Sequence, residues 1–270
     1  MELYGLEIIC KDGYYKYSDP NASITNSPLS SEDAEKLQGA LSILKQFEGL
    51  PQFKDIEEII IKLDQKASIK GQARPSVVDF ERVEQLTGLE YLSQIYESII
   101  QEKALVVDYK PYSEPKVRMV FSAYLLKEYN NRWFVFGVQS EDSKMRTLAI
   151  DRIIEIECST EKYIDNTSFK AAEFFRDIIG VTRMEGISKI DLHFQLSKPR
   201  AQYVKSKPLH DSQVVLKDSK SSITFMISVI PNNELMSMLL SYGNDLKVIK
   251  PIEYKNAMRE AHRKALDLYN

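Results

Sequence analysis

Seven side chains in the middle of the chain could do recognition chemistry: Tyr109, Arg118, Trp133, Phe134, Arg146, Asp151 and Arg152. Arginines beside aromatic rings on neighbouring strands are what phosphate and base recognition requires. A guanidinium makes paired hydrogen bonds to phosphate oxygens, and a ring or guanidinium plane stacks on a base. The plainer alternative is a set of surface ion pairs with Asp108, Asp142 and Glu155, and residue pattern alone favours it. A second cluster is Lys198, Arg200, Lys205, Lys207, Lys217 and Lys220, set against Asp211 and Asp218, with Tyr203, His210 and Gln213 interleaved. A charge run is ordinarily a solvated face. The sharper reading is an anion-binding edge, in which Lys205, Lys207 and His210 reach the same ligand as the first cluster.

Catalytic patterns are missing from the sequence. It has no Gly-rich phosphate loop and no GxSxG elbow. His193, His210 and His262 have no ligand-like spacing, and Cys10 and Cys158 stand too far apart for a cysteine zinc motif. The expectation is a non-enzyme with no metal and no cofactor.

The elements that must position these residues follow from periodicity. Leu6–Ile9 and Tyr14–Tyr17 flank Asp12-Gly13 and predict a hairpin. Ser30 and Asp33 have capping-box spacing ahead of a helix carrying Ala34, Leu37, Leu41 and Leu44. A second helix carries Phe53, Ile56, Ile60 and Leu63, and the polar stretch 68–82 predicts a loop. Leu89, Leu92, Ile95, Tyr96 and Ile99 predict a third helix ending near Lys103.

From Ala104 the period becomes two. Strands are expected at Leu105–Tyr109, Val117–Tyr124, Arg132–Val138, Met145–Ile150 and Ile153–Glu157, with Asn130-Asn131 as a tight turn. Phe169–Ile179 predicts a short helix closed by Gly180. Ile190, Leu192, Phe194 and Leu196 then alternate with polar residues, a strand with one buried face. Pro199–Lys207 fits a helix or a loop. Gln213–Lys217 and Ile223–Ile230 read as strands, Glu234–Tyr242 as a helix capped by Gly243, Lys247–Ile249 as a last strand, and Pro251 as the start of a helix to Tyr269. Strand, helix, strands and helix in this order suit a small α+β sandwich.

Composition sets outer limits. A hydrophobic fraction of 43% over 270 residues is enough for one large or two to three small cores. A net charge of -3 excludes a globally basic nucleic-acid binder, so any such contact must use a local patch. Two distant cysteines imply a reduced, cytoplasmic setting, and no apolar run has the length of a membrane span.

The order Tyr109, Arg118, Leu125, Arg132-Trp133-Phe134-Val135-Phe136-Gly137, Arg146 and Asp151-Arg152-Ile153 resembles the WYL domain. In that family a Trp-Tyr-Leu strand stands where this chain has Trp133-Phe134-Val135. Phe134 lacks the tyrosine hydroxyl but keeps a stacking face. The family also favours a proline where Ser122 stands here. His193-Phe194, Lys207, His210, Ser212-Gln213, Glu234-Leu235, Leu239-Leu240, Gly243, Val248 and Pro251 are similar to the C-terminal extension of WYL regulators. Tyr14–Tyr17, Asp19-Pro20, Ser23-Ile24, Pro28-Leu29-Ser30 and Phe47–Phe53 are similar to the segment that joins the winged helix to the WYL domain in Bacteroidetes-type members.

The resemblance implies an α+β fold: an N-terminal hairpin and helical segment (1–103), an SH3/Sm-like antiparallel β-barrel (104–165), a linker helix (166–188) and a ferredoxin-like extension (189–270). It implies a transcription regulator whose WYL domain senses a nucleotide or short single-stranded nucleic acid and so controls DNA binding, as a homodimer. The ligand would contact Tyr109, Arg118, Trp133, Phe134, Arg146, Asp151, Arg152, Lys205, Lys207 and His210. DNA would be held only by an N-terminal winged helix, of which residues 3–17 resemble the wing. On that reading the sequence is either a natural short form or a fragment. A rival reading is an interaction protein that only dimerises with a full-length regulator. A nucleic-acid enzyme is the third, and it lacks a visible carboxylate pair.

Overall fold

Turn chemistry sets the first hairpin. Gly13 takes φ +79°, open to glycine at no steric cost, between β2 (Leu6–Lys11) and β3 (Tyr14–Tyr17). The pair is antiparallel, and β1 (Glu2–Leu3) adds a third strand beside β2. The structure, a computed structural model, describes residues 2–3, 6–11, 13–18 and 87–269. It forms two units, Met1–Tyr96 and Glu97–Asn270. The helices expected between 30 and 66, the Ser30 capping box and the loop at 68–82 lie outside the described residues.

A 3-10 turn at Leu89–Tyr91 leads into α1 (Leu92–Ile100), which crosses the division between the units. Leu92 and Ile95 of its apolar stripe are buried, whereas Tyr96 is exposed.

The second unit begins with a five-stranded antiparallel sheet: β4 (Leu105–Tyr109), β5 (Val117–Tyr129), β6 (Arg132–Gln139), β7 (Met145–Ala149) and β8 (Ile153–Cys158). The order is β7-β6-β5-β4-β8. Strand β5 runs five residues beyond the Tyr124 expected from periodicity. A bulge between Ala123 and Leu125 breaks the alternation there without ending the pairing. Asn130 and Asn131 both adopt positive φ, 53° and 58°, as a two-residue hairpin of matching twist requires. Strands β7 and β8 are the edges and are not paired with each other, so the ladder is open rather than a hydrogen-bonded barrel. At Gly137 an added Cβ would lie 2.2 Å from the Ser122 carbonyl oxygen and 2.6 Å from the Phe121 ring, so only glycine fits this crossing of β5 and β6.

Residues 159–182 cross one face of this sheet. The Tyr163 hydroxyl donates to the Ala123 carbonyl (2.7 Å), the Ile164 amide donates to the Ser122 hydroxyl (3.0 Å), and the Tyr124 hydroxyl donates to the Ile164 carbonyl (2.8 Å). Phe136, fully buried, stacks on Phe169 and meets the edges of Phe174 and Phe175. The helix expected over 169–179 is confined to α2 (Ala171–Phe175). A single turn with no side-chain cap cannot sustain itself, and ring packing holds it instead. Beyond it, the Asp177 carbonyl accepts from the Ile230 amide, drawing the chain out of helical geometry.

The C-terminal sheet has the order β10-β11-β9-β12, from β9 (Ile190–Ser197), β10 (Val214–Asp218), β11 (Ser222–Val229) and β12 (Leu246–Lys250). Helices α3 (Lys198–Ser206), α4 (Asn233–Leu240) and α5 (Ile252–Asp267) complete the unit. With all neighbours antiparallel, β9-α3-β10-β11-α4-β12 is the split β-α-β arrangement of ferredoxin-like folds. Pro199 sits in the first turn of α3, where its missing N–H costs nothing, so 199–207 is helix rather than loop. Helix α4 stops at Leu240, short of the expected Tyr242, and Gly243 opens a 3-10 turn instead of capping the helix. The core lies on one face: Leu192, Phe194, Leu196, Ile223, Phe225 and Ile227 pack against Ala201, Val204, Leu235, Leu239, Tyr254 and Met258 of the helices.

Candidate functional site

The sequence-predicted residues fall into separate groups. Tyr109 ends β4 with its ring buried, and its hydroxyl accepts from the Ala149 amide at 3.3 Å. Arg118 bonds Glu157 at 2.6 Å and Asp108 at 3.4 Å. Lys116 joins the same Asp108 at 2.6 Å. The Lys116 hydrogen bond, with the charges of Lys116 and Arg118, holds the Asp108 carboxyl below its usual value. Arg146 bonds Asp142 at 2.5 Å and the Gln139 side chain at 3.2 Å. Two of the three ion pairs weighed from sequence therefore form, with Glu157 rather than Glu155 bonded to Arg118.

Register separates these two arginines. Arg146 stands opposite Gly137, which stands opposite Ala123. Ala123 is an odd number of residues from Arg118 on one strand, and the bulge comes after it. Side chains alternate along a strand, so Arg118 and Arg146 leave opposite faces of the sheet. Trp133, opposite Glu128, and Phe134, opposite Lys127 and Ala149, are half-buried and likewise alternate.

What the fold does bring together is a cluster around the 3-10 turn Ile150–Arg152. The Arg152 guanidinium lies over the Tyr112 ring, 4.1 Å from its centroid. The Tyr112 hydroxyl donates to Asp151 Oδ2 at 3.3 Å, and Arg132 Nε approaches the same oxygen at 3.4 Å. The Arg152 carbonyl accepts from the Lys110 amide at 3.0 Å, which fixes the turn to the end of β4. Tyr112 is 72% exposed. Among the described residues Arg152 is in no salt bridge, and its Nε is buried with no hydrogen-bond partner, as is Asp151 Oδ1. Sequence reasoning missed Tyr112 and Arg132 as site residues. Tyr112 sits in the polar β4–β5 loop, where no periodicity marks it; its only signal is an aromatic in a loop beside a strand end.

Lys205 is 3.9 Å from Asp218, Lys207 is exposed just beyond α3, and His210 Nδ1 lies 2.7 Å from the Ser212 hydroxyl and accepts from the Ser212 amide. A shallow groove of about 190 Å³ involves Phe169, Lys170, Phe174 and Arg183. That is smaller than the roughly 300–1,000 Å³ of ordinary ligand pockets. Among the described residues no group of His, Cys, Asp and Glu could hold a metal ion, and no helix is long and apolar enough to cross a membrane.

Two family models match this chain in series, a WYL domain over residues 90–158 and a WCX domain over residues 188–266. The chain belongs to the WYL-domain regulator family. Its WYL domain takes in α1 and the five-stranded sheet, and its WCX domain is the ferredoxin-like unit. No curated protein matches. Among solved structures the chain is similar to proteasome accessory factor B/C of Arthrobacter aurescens, at 14% identity and a TM-score of 0.31, over 98% of this chain and 40% of that one. It is also similar to a CRISPR Cas-related protein, at 13% identity and a TM-score of 0.45, over 94% of this chain and 75% of that one. In the WYL domain, Arg152 ends the turn before the closing strand and Tyr112 meets it from the β4–β5 loop, and the WCX domain holds Lys205, Lys207 and His210.

Proposed function

We propose that the chain is the sensing part of a transcription regulator, binding a nucleotide or short single-stranded nucleic acid at its WYL domain. The observation that carries this reading is Arg152: a guanidinium stacked on an exposed ring, with no carboxylate partner among the described residues, beside Arg132. Such a plane stacks on a base, and its positive charge attracts a phosphate. Asp151 and the buried Tyr109 hold the turn that carries it. Arg118 and Arg146 leave opposite faces of the sheet, so at most one of them joins the site, by exchanging its carboxylate for a phosphate. Trp133, Phe134, Lys205, Lys207 and His210 form outer contacts in this proposal. The ligand controls DNA binding or assembly, in a homodimer, by favouring one of two domain arrangements.

The test is titration of the chain with ATP and with a fluorescein-labelled single-stranded 12-mer. Arg152→Ala and Tyr112→Ala each weaken both ligands while the thermal melt stays unchanged. Wild-type affinity in both variants would falsify the site.

A further inference from the structure

The C-terminal sheet has a second face that its helices leave bare. Every residue of the WCX core points to the helix side, including Phe194, Phe225 and Val248. The alternate positions therefore point away from it. Two cross-strand rows define this face. One runs Lys247–Gln195–Thr224–Lys217 across all four strands, and the next pairs Lys250 with His193 and His193 with Met226. Lys217 stands on one edge strand and Lys247 and Lys250 on the other; all three are exposed, and none is in a salt bridge among the described residues.

Two of the nearby carboxylates are paired with cations away from this face, and the third, Asp191, lies on the face itself. Asp218 is in register with the core residue Ile223, on the helix side, where it meets Lys198 and Lys205. Asp191 is held by the Ser228 hydroxyl at one end of the face, and Asp245 by Ser197 and Arg200 at the other. The basic run read from sequence is thus split, with Lys198 and Lys205 neutralised behind the sheet and Lys217 free in front. In a chain of net charge -3, a face with Lys217, Lys247 and Lys250 against the one carboxylate of Asp191 among its described strand residues is a local cationic feature that fits an anion.

We infer that this bare face of the WCX sheet is a docking surface for the phosphate backbone of single-stranded nucleic acid, distinct from the Arg152 cluster. Four strands span about 14 Å between edge lysines, at roughly 4.8 Å per strand. That distance takes about four nucleotides of stacked strand at ~3.4 Å each, so the occupant is a strand and not a mononucleotide. Between the edges lie Gln195 and the nearly buried Thr224 in the first row, and His193 and Met226 in the second, which ends at the exposed Val214. Four-stranded sheets of RNA-recognition modules bind strands on the equivalent face, an analogy of fold alone. Those modules stack bases on aromatic rings. Here the imidazole of His193 is the only ring in the two rows, so phosphate attraction dominates and base preference is weak.

The decisive experiment compares the full chain with a K217A/K247A/K250A variant, measuring anisotropy of a labelled single-stranded 12-mer from 50 to 300 mM salt, with ATP titrated in parallel. All three lysines are exposed, and an unchanged thermal melt verifies folding. The expected result is about tenfold weaker 12-mer binding at low salt and a salt slope shallower by about 2, from three lost phosphate contacts at ~0.7 each, with ATP affinity unchanged. An identical slope and affinity in the variant overturns the inference. So does a wild-type chain that binds ATP but not the 12-mer, an outcome that leaves the Arg152 site standing. A duplex 12-mer that binds equally well and loses as much in the variant overturns the single-strand assignment.

Discussion

Thr182 gives both its backbone amide and its hydroxyl to one carboxylate oxygen of Glu234, at 3.0 and 2.6 Å. Glu234 lies in the first turn of α4, and Thr182 in the segment leaving the WYL domain. Asn232 reinforces the joint: its side-chain amide donates to the carbonyls of Ile179 and Thr182 while its oxygen caps α4 through the Leu235 amide. Gly180 has φ +85°, and a Cβ there would lie 2.7 Å from the Glu234 side chain, so the segment turns sharply against this carboxylate. Glu234→Ala strands several donors at once. The expected loss is about 1–3 kcal/mol, or roughly 2–4 °C of Tm per kcal/mol for a unit of this size. Glu234→Gln keeps an acceptor oxygen and loses less. A melt of the alanine variant that overlays the wild type would show that the joint contributes nothing.

Phe136 tests whether residues 159–182 are part of the WYL core. Its ring is fully buried against Phe169, Phe174 and Phe175, all outside the sheet. Phe136→Ala removes those contacts and leaves a cavity, costing about 3–5 kcal/mol. Phe169→Ala, on the covering side, should lower stability in the same direction. Urea unfolding midpoints measure both. A neutral Phe169→Ala would mean that the segment only lies on the surface.

Alkaline pH tests Tyr163. Burial pushes its hydroxyl up to about 12 from the usual 10, and the hydroxyl donates to the Ala123 carbonyl. The unfolded chain releases this proton first, so the stabilisation is complete below pH 10 and is lost as pH rises toward 12. Tyr163→Phe removes the hydrogen bond at neutral pH and also this part of the alkaline decline. Urea midpoints at pH 8 and pH 11 should therefore converge between wild type and variant at the higher pH. A constant gap would contradict it.

Arg152 and Arg146 should differ as ligand contacts. Arg146 is committed to Asp142 and Gln139, whereas Arg152 has no carboxylate partner among the described residues. Arg152→Ala is expected to weaken ATP binding about 10- to 100-fold, the scale of a lost charged hydrogen bond. Arg146→Ala should change it less than about threefold, since it removes an exposed ion pair. Calorimetric titration of both variants decides it, and the reverse ranking would move the site from the Arg152 turn to Arg146.

Local chemistry made much of this fold legible. Asp12-Gly13 and Asn130-Asn131 specify tight hairpins because few residues tolerate positive φ. The alternation from Ile190 to Leu196 specifies a strand with one buried face, and its burial follows that alternation residue by residue. Both are short-range properties, complete within a few residues of chain. The bulge after Ala123 was illegible, because a bulge exists only relative to the partner strand.

By itself, then, the sequence determined most of the described strands and helices, the tight turns, the WYL resemblance and the abundance of cationic and aromatic side chains near Tyr109 and Lys205. Tertiary structure alone decided which of those cations remain free. Arg118 found Glu157 from a strand two places away in the sheet, Arg152 found only a ring, and Lys217 shares a row with Lys247 because β9 and β11 lie between their strands. The reason is physical: propensity and periodicity act over neighbours in the chain. Ion pairing and face depend on register between strands that the chain visits tens of residues apart.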